Sequence, residues 1–369
     1  MTKKNILIVD AFREAGGEEE VAFYIYSSLS RDKYNVFIMG PHDSPYFKKK
    51  HPKSNEYFNS SLKGKKDIKS ILYIRKIIQK SNIDVVNVHG YTAGFMVRIA
   101  CIGLNVKVVW TMHVNILDIP NEKIRFKRTK FKVEQFLNKY LTDNIICVAK
   151  ELKDELIEKN KKIKTPIDVI YNGIDTSKFF NSKAPVFYRK KKDEIVLGFI
   201  SRLSIQKGIP YLLKLAKRMH DNKQNFTLLI IGDGDQKEYI ANFVKKYNLT
   251  NEVKLYGFQK DVVPILKSID VLLLPSLFEG FPMIILEALC SGTPVIASNV
   301  NGVPEIIKNS YNGFLVAPKN VTDLYSSVEY YINHPSFIKK HGDNGKQLVM
   351  DNFDKSLMLN KYEKIFDIN

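Results

Sequence analysis

Short apolar segments alternate with helix-like segments along most of this chain of 369 residues. Residues 5–9, 85–89 and 106–112 are rich in Val and largely apolar, which is typical of strands covered on both faces. In most cases a loop follows, and then a stretch with apolar residues at helical intervals. Because strands separated by helices form parallel sheets, the pattern predicts a doubly wound α/β fold.

The alternation occurs twice. The first series covers residues 1–175, and the second covers about 190–350. Residues 176–194, between them, hold a charge run and show no clear period. We therefore expect two Rossmann-like, parallel-sheet domains facing across a cleft, with ligands beyond the carboxyl ends of the strands. We also expect a C-terminal helix, about 352–369, to pack back on the first domain.

Composition restricts the class of protein. Apolar residues make up 44% and charged residues 26% of the chain, as in globular proteins. No stretch approaches the ~20 apolar residues of a membrane-spanning helix, and the N-terminus lacks the pattern of a secretory signal. Cys101, Cys147 and Cys290 lie far apart without a CxxC pair, which argues against a zinc site and fits a reducing cytoplasm.

The net charge of +18 predicts an anionic partner, which is nucleic acid, a phosphorylated metabolite or a membrane surface. Much of the excess lies in residues 48–66 and 121–132. In the second run, basic side chains precede an apolar stripe, as in a helix that lies on a membrane. A core-facing helix with a solvated basic end explains the same pattern. The stripe comprises Ile124, Phe131, Phe136, Leu137, Tyr140 and Leu141.

Two cations follow the first strand of the second series. Arg202 lies where that strand ends, Lys207 closes the loop, and Gly208 and Pro210 suit the start of a helix. Free N–H groups at a helix start attract anions, while Arg can hold a phosphate bidentately and Lys adds a point charge. The segment predicts a pyrophosphate site. The structural alternative is a pair of solvated surface cations.

A second segment, residues 279–298, reads EGFPMIILEALCSGTPVIAS. It predicts a short helix, with Glu279 in the preceding loop and Glu287 on the second turn. Carboxylates accept hydrogen bonds from sugar and ribose hydroxyls. The helix start offers free amides to an anionic or hydroxyl-rich ligand, and the residues there are Phe281, Pro282, Met283 and Ile284. One cap and one surface charge would explain the two glutamates equally simply.

With these segments in place, the whole chain resembles a family 4 glycosyltransferase, a retaining nucleotide-sugar enzyme of the two-domain GT-B architecture. The Glu-x7-Glu signature of that family matches Glu279 and Glu287, and its phosphate-binding Arg and Lys match Arg202 and Lys207. Further matches fall in family order: the Gly-Gly loop at Gly16 and Gly17, the glycine turn Gly232-Asp233-Gly234, and the strings YNGID, YGF and NGVPEII.

The resemblance implies a role for each matched residue. Glu279 is expected at the donor-sugar hydroxyls, Glu287 at the ribose, and Arg202 with Lys207 at the diphosphate. The active-site histidine of the family matches His113 in WTMH.

His89, at the end of another strand, is the second candidate on the acceptor side. We favour His113, although a hydrogen-bonded core or rim histidine would explain either position. Backbone near Gly257 and Phe258 is expected to select the base.

Two features depart from simple expectations. The Gly-Gly loop is followed by Glu18, Glu19 and Glu20, which would repel a phosphate. We therefore expect Gly16 and Gly17 only to allow close backbone approach, with helix capping as the alternative. Asp233-Gly234-Asp235 looks like a DxD metal motif, but Asp and Gly are ordinary residues of a strand-to-helix turn. We expect neither a metal nor another cofactor.

The resulting expectation is a cytoplasmic, retaining glycosyltransferase of cell-surface polysaccharide synthesis, peripheral at the inner face of the membrane. Its partners would be a nucleotide-sugar donor, with UDP favoured, a glycan or lipid-linked acceptor, and an anionic membrane surface. The alternative from another class is a non-catalytic polyanion-binding protein on the same fold. Since neither RNP-like aromatics nor a KH-type GxxG loop is evident, we expect no nucleic acid.

Overall fold

The computed structural model describes residues 3–11, 16–44, 47, 52–64, 67–114, 124–180 and 185–368, with side chains of 124–128 and 180 left out. The chain divides into two compact units. The first combines Met1–Gly173 with Lys355–Asn369, and the second is Ile174–Asp354.

A seven-stranded parallel sheet forms the centre of the first unit. The strands are β1 (Lys4–Val9), β2 (Tyr34–Gly40), β3 (Tyr57–Asn59), β4 (Val85–His89), β5 (Lys107–Met112), β6 (Asn144–Cys147) and β7 (Ile167–Val169). Their order is β3-β2-β1-β4-β5-β6-β7. The helices from this part of the chain are α1 (Gly17–Ser28), α2 (Ile68–Lys80), α3 (Tyr91–Ala100), α4 (Ile124–Tyr140) and α5 (Lys150–Lys159).

The second unit contains a six-stranded parallel sheet. The strands are β8 (Ile195–Ile200), β9 (Phe226–Ile231), β10 (Val253–Gly257), β11 (Val271–Leu274), β12 (Val295–Ser298) and β13 (Gly313–Val316). Their order is β10-β9-β8-β11-β12-β13. The helices are α6 (Thr176–Phe180), α7 (Ile209–Asp221), α8 (Lys237–Lys246), α9 (Val263–Leu266), α10 (Met283–Cys290), α11 (Val303–Ile306), α12 (Val321–Asn333) and α13 (Ser336–Asn352).

The predicted pair of parallel α/β sheets is confirmed. Strands β8 and β9 are buried at all six positions, in agreement with their largely apolar sequences, and Ile195 pairs with Phe226 at the start of the register. Glycine and proline mark two of the helix starts. Helix α3 begins at Tyr91, directly after Gly90, which takes φ +70° and is its N-cap. Helix α10 begins at Met283, since Pro282 remains extended.

The last helix, α14 (Lys355–Asp367), belongs to the first unit. Lysines from two strands reach its final carbonyls: Lys4 Nζ donates to Phe366 O at 3.1 Å, and Lys107 Nζ donates to Ile365 O at 2.7 Å. A cation at the negative end of a helix dipole is favourable. Tyr362, in the same helix, is fully buried. The end of the chain therefore completes the core of the first unit.

Two further sequence inferences can be compared with the structure. Among the residues described, no helix is both long and apolar enough to cross a bilayer. Cys101, Cys147 and Cys290 are free, buried thiols, and burial raises the pKa of each to about 12. Since the thiolate is the reactive form, these cysteines are structural side chains.

Each sheet has one point at which the strand order reverses, between β1 and β4 in the first unit and between β8 and β11 in the second. The chain leaves these neighbouring strands in opposite directions, which opens a crevice at their carboxyl ends. The loops after β8 and β11 carry Lys207 and Glu279. In the first unit, the loop after β1 ends at Gly16, and the loop after β4 begins directly after His89. The candidate residues of each unit thus lie at the carboxyl edge of its sheet, which is where parallel sheets bind ligands.

Candidate functional site

An ion pair joins the loops that follow β8 and β11. Lys207 Nζ lies 2.7 Å from Glu279 Oε1, with the side chains 15% and 6% exposed. Ser276 Oγ donates to the same carboxylate oxygen at 2.7 Å, and Asn301 Oδ1 accepts from the backbone N–H of Glu279 at 3.0 Å. The carboxylate is therefore held by a cation and a hydroxyl group, and Asn301 holds the backbone of the same residue. The two residues, which we had assigned to separate parts of a ligand, contact each other.

Backbone contacts hold the same two loops together. The N–H of Leu277 donates to Gln206 O at 2.8 Å, and Gln206 Nε2 donates to Phe278 O at 3.1 Å. Gly208 lies beside Lys207 with φ +73°, and a Cβ there would be 1.8 Å from the carbonyl oxygen of Pro275. The approach of the loops therefore requires glycine at this position.

Of the two predicted phosphate-binding cations, one precedes a short 3-10 turn and the other is its last residue. Arg202 is exposed and lies two residues after the end of β8. Lys207 is the last residue of the turn Ile205–Lys207, and Gly208 then caps α7, which has Pro210 in its first turn. The positive end of the α7 dipole therefore lies beside Lys207.

At the start of α10, the side chains pack inward. Phe281 and Met283 are buried, and the Phe281 ring lies 5.5 Å from that of Phe353. Ile284 and Glu287 are half-buried on α10 itself. Since Phe281 and Met283 are occupied by packing, any ligand contact from them must come from the backbone.

A glycine turn connects the ends of three strands. The N–H of Gly232 donates to Gly257 O at 2.9 Å, and the N–H of Leu203 donates to Asp233 O at 2.8 Å. Gly257 has φ +67°, and the next residue, Phe258, is 60% exposed. The turn thus holds the backbone at Gly257, which was predicted with Phe258 to select the base, beside the end of β9.

The Asp-Gly-Asp sequence serves this turn. Asp233 Oδ1 accepts from the N–H of Gly234 at 2.9 Å, and Asp233 Oδ2 lies 3.5 Å from Lys237 Nζ. In the part of the chain that the structure describes, no group of three or more His, Cys, Asp or Glu side chains is arranged to hold a metal ion.

In the first unit, the glycine loop begins α1. The N–H of Gly16 donates to Glu19 Oε2 at 3.1 Å, which is a helix cap, and Gly17 is the first residue of the helix. This arrangement corresponds to the capping alternative. Glu18 lines a small cavity of about 50 Å³ with His113, Gly90, Trp110, Phe131 and Glu134. Burial raises the pKa of Glu18 well above its usual range, and the negative charges of Asp10 and Glu19 add to this.

The two candidate histidines are hydrogen-bonded to each other. His89 Nδ1 lies 3.0 Å from His113 Nε2, and both rings are buried. Burial lowers the pKa of His113 to about 3. Burial, with the neighbouring ring of His113, also holds the pKa of His89 well below its usual range. Both rings are therefore neutral at pH 7. Because they are hydrogen-bonded to each other, the two candidate histidines form one unit.

Helix α4 shows that the predicted apolar stripe faces in two directions. Leu137 is buried and Phe131 lines the cavity, while Phe136 and Tyr140 are 56% and 60% exposed. Residues 121–123 and the side chains of 124–128 lie outside the described part of the chain, as do residues 48–51 and 65–66 of the other basic run. The helix therefore has both a core face and an exposed aromatic face.

Sequence reasoning missed several side chains that build these clusters. Ser276 and Asn301 hold Glu279, and Asn87 contacts His89. Ser276 follows β11 within two residues, and that position at a strand end was the available signal. Asn301 lies in the NGVPEII string, but the string alone does not indicate which residue it contacts.

Two family descriptions match the chain in succession. Glycosyltransferase Family 4 matches residues 15–178, and Glycosyl transferases group 1 matches residues 181–348. The two matches correspond to the two series of strands and helices.

Individual relatives agree with these matches. The chain is 29% identical over 323 residues to the UDP-Gal:alpha-D-GlcNAc-diphosphoundecaprenol alpha-1,3-galactosyltransferase of Escherichia coli, covering 82% of this chain and 79% of that protein. It is 30% identical over 311 residues to an uncharacterized 41.2 kDa protein in the cps region of Klebsiella pneumoniae, covering 80% and 82%.

Among solved structures, Anabaena Alr3699/HepE in complex with UDP and glucose has a TM-score of 0.83 at 20% identity, covering 98% of this chain and 99% of that one. At this identity the likeness concerns the fold, and it confirms the predicted GT-B class.

Gly208→Ala and Gly292→Ala form a matched pair that tests the loop contact. Both glycines have positive φ, but a Cβ at Gly292 would meet nothing within 4 Å. We expect Gly292→Ala to lower the free energy of unfolding by about 1 kcal/mol, from backbone strain alone. Gly208→Ala should cost a further 1–3 kcal/mol or so, because its methyl group overlaps the carbonyl of Pro275. Chemical denaturation measures both, and equal losses would contradict the close approach of the loops.

Proposed function

Because the chain belongs to the glycosyl transferases of group 1, we propose that it transfers a sugar from a nucleoside diphosphate sugar, with retention of anomeric configuration, to a glycan or lipid-linked acceptor. The observation that carries this proposal is the Lys207–Glu279 pair, which lies on the loops after β8 and β11, where the strand order reverses. Family membership also favours an enzyme over the polyanion-binding alternative.

The pair suits a donor that is anionic at one end and hydroxylated at the other. One hydrogen bond of the Lys207 ammonium goes to Glu279, and an ammonium group has three N–H donors, so it can also contact a diphosphate. The ammonium charge offsets that of Glu279, which would otherwise repel phosphate. Glu279 accepts from Ser276 and Lys207 and can accept from sugar hydroxyls. Arg202 adds a second cation, and Glu287 is assigned to the ribose.

The transition state of glycosyl transfer resembles an oxocarbenium ion, with negative charge building on the departing diphosphate. Lys207, Arg202 and the start of α7 would stabilise that charge without reorganising. Glu279 is tied to a cation and a hydroxyl, which suits hydroxyl recognition more than nucleophilic attack. We therefore favour a front-face route, in which the leaving phosphate oxygen takes the proton of the acceptor.

The names of the relatives support finer assignments. The Escherichia coli relative is named for UDP-Gal and a diphosphoundecaprenol-linked acceptor, and the Anabaena structure holds UDP and glucose. The Klebsiella relative is a protein of a cps region. We infer a UDP-sugar donor, a lipid-linked glycan acceptor and a role in cell-surface polysaccharide synthesis. No metal is assigned to the reaction, because Asp233 serves the turn after β9.

Replacing Lys207 or Glu279 tests the donor site. We expect Lys207→Met and Glu279→Gln each to lower kcat by about 100-fold or more, as the loss of one preorganised transition-state contact does. The measurement is sugar transfer, or donor hydrolysis, over a panel of nucleotide sugars with and without EDTA.

Lys214→Met and Glu238→Gln, which replace exposed residues of α7 and α8, are the matched controls and should keep full activity. Near-normal turnover in either site variant, with folding verified by circular dichroism, would contradict the assignment. Inhibition by EDTA would contradict a metal-independent reaction.

The exposed face of α4 supports a peripheral position at an anionic membrane. The rings of Phe136 and Tyr140 lie 5.0 Å apart, and Lys139 Nζ is 4.6 Å from the centre of the Tyr140 ring. Lys132, one turn before Phe136, is also exposed. Aromatic rings flanked by lysines are typical of helices that lie in the headgroup region. A lipid-linked acceptor would be reached from such a position.

Liposome flotation tests this surface. We expect the chain to float with vesicles containing anionic lipid, and the variant Phe136→Ser/Tyr140→Ser to float several-fold less, because the apolar contact with the headgroup region is lost. Tyr239→Ser, which removes an exposed ring from a lysine-rich helix of the second unit, is the control. Binding that is indifferent to lipid charge, or equal in all variants, would argue for an acceptor free in solution.

A further inference from the structure

A buried chain of polar side chains leads to His113 from the core of the first unit. It runs through Tyr362, Thr111, Asn87 and His89, all fully buried. We propose that Asn87 and His89 are positioning residues that hold His113 in the tautomer protonated at Nε2. Its Nδ1 then carries a lone pair and accepts a hydrogen bond from a hydroxyl group of the ligand. The nature of that ligand rests on the proposed function, but the tautomer does not.

Two contacts of the Asn87 side chain determine the orientation of its amide group. Asn87 Nδ2 lies 3.3 Å from Val109 O and 3.0 Å from Thr111 Oγ1. A backbone carbonyl can only accept, so the group that faces it must be the NH2 of the amide. The amide oxygen therefore points the other way, toward His89.

The amide oxygen then determines the tautomer of His89. Asn87 Oδ1 lies 2.9 Å from His89 Nε2, and since the oxygen can only accept, Nε2 must carry the proton. A neutral imidazole has one N–H, so the lone pair of His89 is on Nδ1. The ring is neutral because it is fully buried beside a second imidazole.

The tautomer of His89 in turn determines that of His113. His89 Nδ1 lies 3.0 Å from His113 Nε2 and accepts, so His113 donates from Nε2. With that proton placed, His113 Nδ1 is left as an acceptor. Thr111 Oγ1 lies 3.3 Å from the hydroxyl of Tyr362 in α14, which connects β5 to the last helix.

The lone pair on His113 Nδ1 determines which ligand groups can bind to this ring. A ring nitrogen with a lone pair attracts an O–H donor and repels a phosphate oxygen, which can only accept. The described residues that line this cavity with His113 include Glu18 and Glu134, of which Glu134 is ion-paired with Arg98, and none of these lining residues is a lysine or an arginine. The site in the first unit is therefore suited to neutral, hydroxyl-bearing groups, and a sugar hydroxyl is the class that the proposed function supplies.

The tautomer can be read in the intact, ligand-free protein. With all seven histidines labelled with 15N, long-range 1H–15N correlation spectra distinguish a protonated Nε2 from a protonated Nδ1. Spectra of His113→Gln and His89→Gln assign the two rings, and His42→Gln, which replaces an exposed ring, is the control. We expect His113 and His89 both to be protonated at Nε2 and to stay so between pH 6 and 8. A proton on His113 Nδ1, or a charged ring, would overturn the proposal.

The role of His89 in fixing that tautomer needs a second spectrum. In His89→Leu, His113 loses its acceptor, so we expect a mixture of its two tautomers, and a tenfold or larger loss of transfer that the control does not show. An unchanged tautomer in this variant would overturn the positioning role. If His89→Leu fails to fold, Asn87→Leu replaces it. Loss of the amide oxygen frees the tautomer of His89, so we again expect a mixture of His113 tautomers and a loss of transfer. Because the spectra need no substrate, absence of sugar transfer would refute the proposed function and leave the tautomer standing.

Discussion

The second unit is organised around one charge pair at the carboxyl edge of its sheet. Removing a lysine or a glutamate from water costs free energy unless an opposite charge lies close by. Lys207 and Glu279 supply that opposite charge to each other. Their contact depends on the strand order, which places the loops after β8 and β11 side by side, and on Gly208, which lets the backbones approach. The proposed phosphate-binding and sugar-binding roles both depend on that one contact.

The carboxyl edge of the sheet in the first unit differs in charge. There, His89 ends β4 and His113 directly follows β5, the two neutral imidazoles are joined by a hydrogen bond, and the nearby carboxyl group of Glu18 has a raised pKa. The sheet of the second unit therefore presents cations beside a carboxylate, and the sheet of the first unit presents a pair of neutral imidazoles. The first arrangement suits a diphosphate, and the second suits hydroxyl groups. A transferase that joins an anionic donor to a glycan needs both.

Much of the fold could be predicted because the central strands are largely apolar, and few structures other than a buried strand have that pattern. The short edge strands β3 and β7 have mixed sequences, YFN and IDV, and no local pattern distinguishes them from loops. The predicted site residues were found through spacing and family strings, but their contacts were not. Lys207 and Glu279 are 72 residues apart, and only the assembled sheet shows that they pair. Asn87 appeared as one polar residue in a buried strand, and its role depends on a carbonyl of the next strand.

The central claim is that Lys207, paired with Glu279, is placed to bind the terminal phosphate of a nucleoside diphosphate. Calorimetric titration of the intact protein with UDP and with UMP tests it directly. A charge-assisted hydrogen bond contributes about 1.5–3 kcal/mol, so we expect UDP to bind roughly 10- to 100-fold more tightly than UMP. That difference should largely vanish in Lys207→Met and persist in Lys214→Met. Equal discrimination between the two nucleotides in both variants would contradict the account.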